Sequence, residues 1–498
     1  MDLRFSRLRA ATAPLCLLSA TPALAEATPE TASETGGEAQ RKSYPAAYNG
    51  DAAAAPGGYA LSRWAEDWRV MQSPAKRDDP LDRLKFIPLD DNGDVYLTVS
   101  GELRLRMNLT TNPNLRDVQA QRQDINRETL GADLHVGPHL RLYGEVSHGG
   151  IGGRNLGVPA ATLRNDMVFL QYFAEVNATV GEAEVGARYG RQEFTDGPNI
   201  LVSQRDNNTI RYTLNGFRGW VRGAKARLTV FDLKPTAYGD LGTDDDVIDP
   251  ARRFSGVTAG FVLPKTTLGG SQLYLDLFAW RRRNLVGTWG GRIGPATRYY
   301  AGAQLRGDVG RLGLDWSVNH QWGTFLNQGI DAWQAFLAQT WRIGNGPAKT
   351  APRLGVHVDY ASGGGGYGQG KLRNAYAPFG NNIYFSYQLY LTPSNLVAVT
   401  PNASFTPFRN ARISAEYELA WRDDVHDAVY RANGQPFAGT QNGRGRKIAD
   451  VVRAQMVWNA TPRLTLTGRY EHLMARAALT DAGYRSSDFI AGWISYRF

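Results

Sequence analysis

The sequence predicts an all-β protein: a single transmembrane antiparallel β-barrel of about eighteen strands. Three observations predict it. From residue 94 the hydropathy period becomes two, with one apolar parity and one charged parity. Tight turns alternate with long loops, as in barrels whose two rims face different compartments. The chain ends in an alternating strand that closes on an aromatic residue, Phe498.

Composition agrees. Hydrophobic residues make up 42% and mean hydropathy is −0.38. No apolar run of about eighteen residues follows residue 30, which excludes a helical span. Aromatics reach 11%, with 23 Tyr, 12 Trp and 55 Gly. That mixture suits a barrel in which only every second residue meets lipid.

Residues 1–25 read as a secretory signal. Arg4, Arg7 and Arg9 supply the charge, Ala10 to Leu18 the apolar stretch, and Ala23-Leu24-Ala25 a cleavage site before Glu26. The only cysteine, Cys16, lies inside it. Leu15-Cys16 lacks the small residues of a lipoprotein cleavage box, so no lipid anchor is expected. Cleavage leaves 53 basic and 46 acidic residues. That excess suits an anion path and also a solvated surface. Export and the lack of a compact basic motif argue against nucleic-acid binding.

Residues 26–60, rich in Ala, Thr, Glu, Gly and Pro, read as a flexible periplasmic arm. Residues 61–93 mix Trp, charge and Pro without alternation and read as a segment at or inside the periplasmic mouth. Residues 94–498 are the barrel. In the first strand Val95, Leu97, Val99, Leu103, Leu105 and Met107 share one parity. Thr98, Ser100, Glu102, Arg104, Arg106 and Asn108 share the other. Similar strands recur near 312–321, 353–360, 412–422 and 463–471. Tight turns are expected at Gly137-Pro138, Gly307-Asp308 and Ala460-Pro462. Long loops are expected near 149–164, 236–251, 363–393 and 423–446. Tyr360, Trp421, Trp458 and Tyr496 sit where interfacial girdles belong. Ile494, Tyr496 and Phe498 resemble the signal read by the outer-membrane barrel assembly machinery.

A barrel of this size leaves an aqueous lumen. By parity its wall includes Arg104, Arg106, Arg141, Arg188, Arg298, Arg306, Arg353, Arg412, Arg453, Arg463 and Arg469, with Gln192. Glu102, Glu145, Asp276, Asp315, Asp359 and Glu416 lie among them. Guanidinium stays protonated and forks onto carboxylates, so such a ladder can bind an anion weakly at many points. The same residues can instead brace the wall as cross-strand ion pairs. Arg191 has the lipid-side parity of Tyr189, so either a bulge turns it inward or it sits among headgroups.

Other motifs are weaker. Gly363, Gly365 and Gly368 match a G-x-G-x-x-G spacing, but no helix follows, and a loop accounts for them. Asp90 to Asp94 reads as a turn. Asp244, Asp245 and Asp246 fall on an outer loop that can bridge lipopolysaccharide through divalent ions. His320 and His472 have lipid-side parity near strand ends. The seven His show no metal-ligand spacing, so no metal or cofactor is expected.

Three blocks carry a family resemblance. They are Arg63-Trp64-Ala65-Glu66-Asp67-Trp68 with Leu84 to Leu89 and Tyr96 to Arg104; Ala187-Arg188-Tyr189-Gly190-Arg191-Gln192-Glu193 with Leu201 to Asp206, Arg211 and Asn215-Gly216; and Tyr360 to Gly366 with Pro393-Ser394-Asn395-Leu396 and Pro401. Together they resemble the alginate-export family of outer-membrane porins over about residues 61–498. The resemblance implies an 18-stranded barrel whose Arg-rich constriction guides an anionic polysaccharide outward. Thr98 stands where the best-known alginate exporter has a pore lysine, Ser362 where that exporter has an arginine, and Asn199 where many relatives are basic. The fold therefore transfers better than alginate itself.

The sequence thus points to a Gram-negative outer-membrane channel for anionic solutes, acting as a single copy among bilayer lipid and lipopolysaccharide. Its solute would be an acidic exopolysaccharide or a small organic anion taken up. A barrel enzyme of lipase or protease type is the rival, but no Ser/His pair has suitable parity and depth. An adhesive barrel is a further alternative. A receptor with a plug is disfavoured, because no plug-sized domain precedes the first strand.

Overall fold

The computed structural model describes residues 57–498. The expected signal peptide, its expected cleavage site at Ala25–Glu26 and residues 26–56 of the expected arm lie outside the described residues.

Eighteen long strands form the wall: β1 (Val95–Thr110), β2 (Gln121–Val136), β3 (Leu140–Arg154), β4 (Asn165–Val180), β5 (Ala183–Gln192), β6 (Leu214–Arg222), β7 (Ala226–Ala237), β8 (Arg252–Val262), β9 (Ser271–Trp289), β10 (Arg292–Val309), β11 (Leu312–Phe325), β12 (Gln328–Arg342), β13 (Arg353–Ala361), β14 (Leu396–Phe405), β15 (Ala411–Trp421), β16 (Lys447–Asn459), β17 (Leu464–Ala475) and β18 (Ser487–Arg497). Each pairs antiparallel with its chain neighbour, and β1 also pairs with β18, with Leu105 opposite Ile494. Closure leaves no unpaired edge, which is the condition for a sheet to cross hydrocarbon.

Alternation assigns the faces. On β1, Leu103, Leu105, Met107 and Leu109 are exposed, whereas Glu102, Arg104 and Asn108 are buried. Leu105 is 53% exposed and Glu102 only 3%. A greasy outside around a charged inside is the pattern expected of a barrel in lipid.

One rim has short connections, among them 137–139, 181–182 and 310–311. The Gly307-Asp308 turn expected from sequence is not a turn. Both residues lie within β10, and the reversal falls at Gly310-Arg311, where Gly310 takes φ 60°. The opposite rim carries loops 155–164, 238–251, 362–395 and 422–446, close to their expected positions. It also carries 193–213, whose length the alternation pattern did not reveal.

The long-loop half of the lumen is not simply aqueous. There the inward parity of β7–β10 is aromatic: Phe231, Phe254, Phe278, Trp280 and Tyr300 are all buried. Loops 193–213 and 362–395 fold against them with Leu201, Val202 and Phe379. The two loops pair with each other through a parallel bridge between Val202 and Phe379. An all-apolar patch inside a wide barrel has to be covered, and the loops bury it.

At the short-turn half, four 3-10 turns between Arg63 and Lys85 place the N-terminal segment against the wall. Trp64 packs with Tyr143 and Phe173, and Phe86 stacks on Tyr96 at 4.4 Å. Arg463 of the β16–β17 turn reaches this segment through Asp79 at 2.7 Å and Asp82 at 2.6 Å.

Candidate functional site

Where the N-terminal segment meets loop 193–213, buried charges form one network. Glu102 of β1 accepts from Arg63, Arg104 and Arg127, each at 3.0 Å. Asp206 on the loop accepts from Arg104 at 2.8 Å and Arg127 at 2.7 Å. Arg211 pairs with Glu193 at 2.9 Å and Glu145 at 3.2 Å. Glu66 pairs with Arg63 at 3.0 Å and with Lys85 at 3.6 Å. Five cations thus face five carboxylates, so this level of the lumen is charge-balanced rather than basic. Burial opposes ionisation of Asp206, but Arg104 and Arg127 outweigh it and hold the carboxyl below its usual range. Burial raises Glu193, and Arg211 offsets only part of that. Burial pushes the Lys85 ammonium down to about 8.

Thr98 donates to the Lys85 carbonyl at 2.8 Å. The Lys85 ammonium lies one inward residue further along, on Ser100 at 2.8 Å. Ser362 donates to the Arg373 carbonyl at 2.6 Å, and Asn199 is exposed on loop 193–213.

The remaining residues singled out by parity are braced in different ways. Arg141 pairs with Asp133, and Arg188 pairs with Glu175 between the rings of Trp64 and Phe173. Arg453 holds Glu416 at 2.7 Å and Glu418 at 2.9 Å. Arg306 holds Asp276 at 2.6 Å. Arg106 and Arg469 donate to Asn207 of loop 193–213, at 3.1 and 2.8 Å to its Oδ1. Arg412 donates to Ser404, Arg353 to the Ala348 carbonyl, and Asp359 accepts from His357. Gly190, at φ 138°, separates exposed Tyr189 from buried Arg191 and Gln192. Arg191 is not among headgroups: it donates to Asn215 Oδ1 at 3.0 Å and to the Asp246 carbonyl at 2.9 Å. Asp246 itself accepts from Asn165 at 3.0 Å, so it braces loop 238–251.

One cluster differs. Arg282 on β9 and Arg298 on β10 stand directly opposite in register. Like charges in that position repel. Neither guanidinium has an acidic partner among the described residues. Arg298 donates to Gln321 at 2.6 Å and to the Asn374 carbonyl at 2.9 Å, and its Nη2 is buried without a hydrogen bond. Arg282 lies over the rings of Tyr376 and Phe379, at 4.8 and 5.9 Å. Burial would raise the Tyr376 phenol, yet Arg282, Arg205, Arg252 and Arg298 together bring it below its usual range. The site therefore sets two like charges against the apolar wall without a facing carboxylate among the described residues.

Parity found Arg298 but not its neighbours. Arg282 was legible in principle, since Arg281-Arg282-Arg283 interrupts a strand and only the middle residue shares the parity of Trp280. Arg252, at the start of β8 with the parity of Phe254, was legible in the same way, but Arg205 was not, because loop residues have no parity.

The sequence pattern of the alginate export family matches residues 95–492. OccAB1 of Acinetobacter baumannii is similar in structure at TM-score 0.53 and 10% identity, covering 84% of this chain and 99% of that one. OccK9 (OpdG) of Pseudomonas aeruginosa is similar at TM-score 0.53 and 13% identity, covering 81% and 98%. OccK2 (OpdF) of Pseudomonas aeruginosa is similar at TM-score 0.51 and 12% identity, covering 81% and 97%. At these identities the likeness shows the fold. A search of curated proteins finds no match.

Proposed function

The chain belongs to the alginate export family of outer-membrane β-barrels, and from that premise we propose that it passes carboxylated solutes, an acidic exopolysaccharide such as alginate among them. The Arg282–Arg298 pair carries the reading. Two facing guanidiniums without a carboxylate, each with a buried free N–H, cost stability unless an anion relieves them. Arg205 extends the same potential from loop 193–213, and Arg252 at the start of β8, paired with Asp249 at 3.0 Å, lies close by. Arg104, Arg106, Arg141, Arg188, Arg306, Arg453 and Arg469 supply further weak stations toward the short-turn rim, read as periplasmic. Each is already partnered, so a solute exchanges with an existing contact rather than filling a vacancy. Binding that is shared in this way lets a solute leave as well as enter.

Planar-bilayer recordings test this. Purified protein should pass chloride better than potassium. The double variant Arg282→Gln/Arg298→Gln should shift the reversal potential toward cations. A cation-selective wild type, or no shift, would overturn the proposal. Hydrolysis of lipid or peptide by pure protein would overturn the channel reading itself.

A second reading is uptake of small organic anions. It is favoured by the filling of the lumen by loops 193–213 and 362–395. Liposome swelling separates the two: entry of a monomeric uronate without any polyuronate flux selects the small-solute reading.

A further inference from the structure

We propose that the outer rim carries a binding site for the phosphorylated saccharide headgroup of an outer-leaflet glycolipid. The site is a cavity of about 540 Å³ on the outward face, where loops 362–395 and 422–446 overhang β12 and β13. Its floor is Trp333 and Tyr360, and its cationic lining is Arg373 and Arg446.

The height of the cavity is set by the strands. Along β12 the outward parity runs from Trp341 through Gln339, Leu337 and Ala335 to Trp333. Gln339 is not bare, because Trp316 Nε1 donates to it at 2.9 Å. Eight residues at about 3.3 Å each span about 26 Å along the strand. Strand tilt reduces that to roughly 20 Å of bilayer, most of the apolar band of such barrels. Trp341 and Trp333 therefore mark the two interfaces. The next outward residue beyond Trp333 is Asp331, which accepts from His320 at 3.0 Å and Lys371 at 3.1 Å. Charge begins here, so the cavity opens at headgroup level.

The chemistry of the lining selects the headgroup. Three acids border the cavity, but each already receives donors. Asp331 has His320 and Lys371. Asp423 accepts from the Gly363 amide at 3.0 Å and Tyr360 at 3.4 Å. Asp424 accepts from the His426 amide at 2.8 Å. By contrast, the Arg373 and Arg446 guanidiniums have no hydrogen bond or ion pair among the described residues. Two uncommitted guanidiniums above two interfacial rings fit a phosphate joined to a sugar: the forked donors take the phosphate oxygens and the rings take the sugar face. Free phosphate would use the arginines but leave the aromatic floor idle.

The test uses the full chain refolded or purified in detergent, read by native mass spectrometry and thermal melting. Bisphosphorylated lipid A should bind and raise the melting temperature. Lipid A lacking its phosphates should bind at least about tenfold more weakly. Arg373→Ala/Arg446→Ala should lose that preference while keeping its folded, heat-modifiable form. Equal binding of the two lipids by the wild type would overturn the proposal, and needs no variant. So would an equal thermal shift with inorganic phosphate alone, or unchanged lipid preference in the folded double variant.

Discussion

Asp206, carried on the inward loop 193–213, forms an ion pair with Arg127 of β2 at 2.7 Å, and both side chains are buried. Arg104 of β1 completes the contact at 2.8 Å. The loop thus neutralises two wall arginines with its own carboxylate.

Asp206→Asn should loosen loop 193–213. Removing one partner of a buried pair costs about 3 kcal/mol. Melting in detergent reads that loss. Single-channel conductance should rise, and limited proteolysis should cut the loop faster. The carboxyl is held below its usual range, so its stabilisation is present above the unfolded value of about 3.9. It is lost as pH falls through the lower folded value. Neutral and mildly acidic buffers should leave the loop seated. Only stronger acid should release it.

Lys85 gives the same sign in a more alkaline window, for a different reason. Its folded value is about 8, below the ordinary 10.5, because burial disfavours the ammonium. Between those values the unfolded chain holds a proton that the folded one has released. Stability should therefore rise across that window. Melting curves of Lys85→Met should lack this segment of the pH dependence.

Arg188 separates bracing from selectivity. Its charge is matched by Glu175 and its face is covered by Trp64 and Phe173. Arg188→Gln should lower the melting temperature by several degrees, as a loss of about 3 kcal/mol does in a chain this size. The reversal potential should move less than it does for Arg282→Gln/Arg298→Gln.

The last residue is a packing element. The Phe498 backbone exchanges hydrogen bonds with Gly101, at 2.8 and 3.1 Å. A Cβ on Gly101 would lie 2.4 Å from the Phe498 ring. Gly101→Val and deletion of Phe498 should each reduce the yield of heat-modifiable barrel in outer membranes. Gly137→Ala, an open turn position at the same rim, should reduce it less, by its φ strain alone.

The wall was legible because a strand's two faces meet different solvents, and β1 shows this residue by residue. Strand number followed from the same rhythm, and the family resemblance from the three motif blocks. The interior was less legible. Parity places Arg104 inside but cannot say that Asp206, about a hundred positions on, will neutralise it. It also led to an aqueous lumen, although Phe231, Phe254 and Phe278 carry inward parity among strands read as polar within. Loops that fold inward have no periodicity to read, and they supply Arg205, Asp206, Arg211 and Tyr376.

The barrel's seam joins β1 to β18, where Arg104 donates to Ser495, 391 positions away, at 3.0 Å. Nearly the whole polypeptide must therefore be available before the first strand gains its second neighbour. Until then both terminal strands expose a row of unsatisfied amides and carbonyls, and an escort has to shield them in transit. Arg63, Glu66 and Lys85 of the N-terminal segment are buried against the inside of the finished wall, so they must be in place before the final zipping, or enter through the rim afterwards.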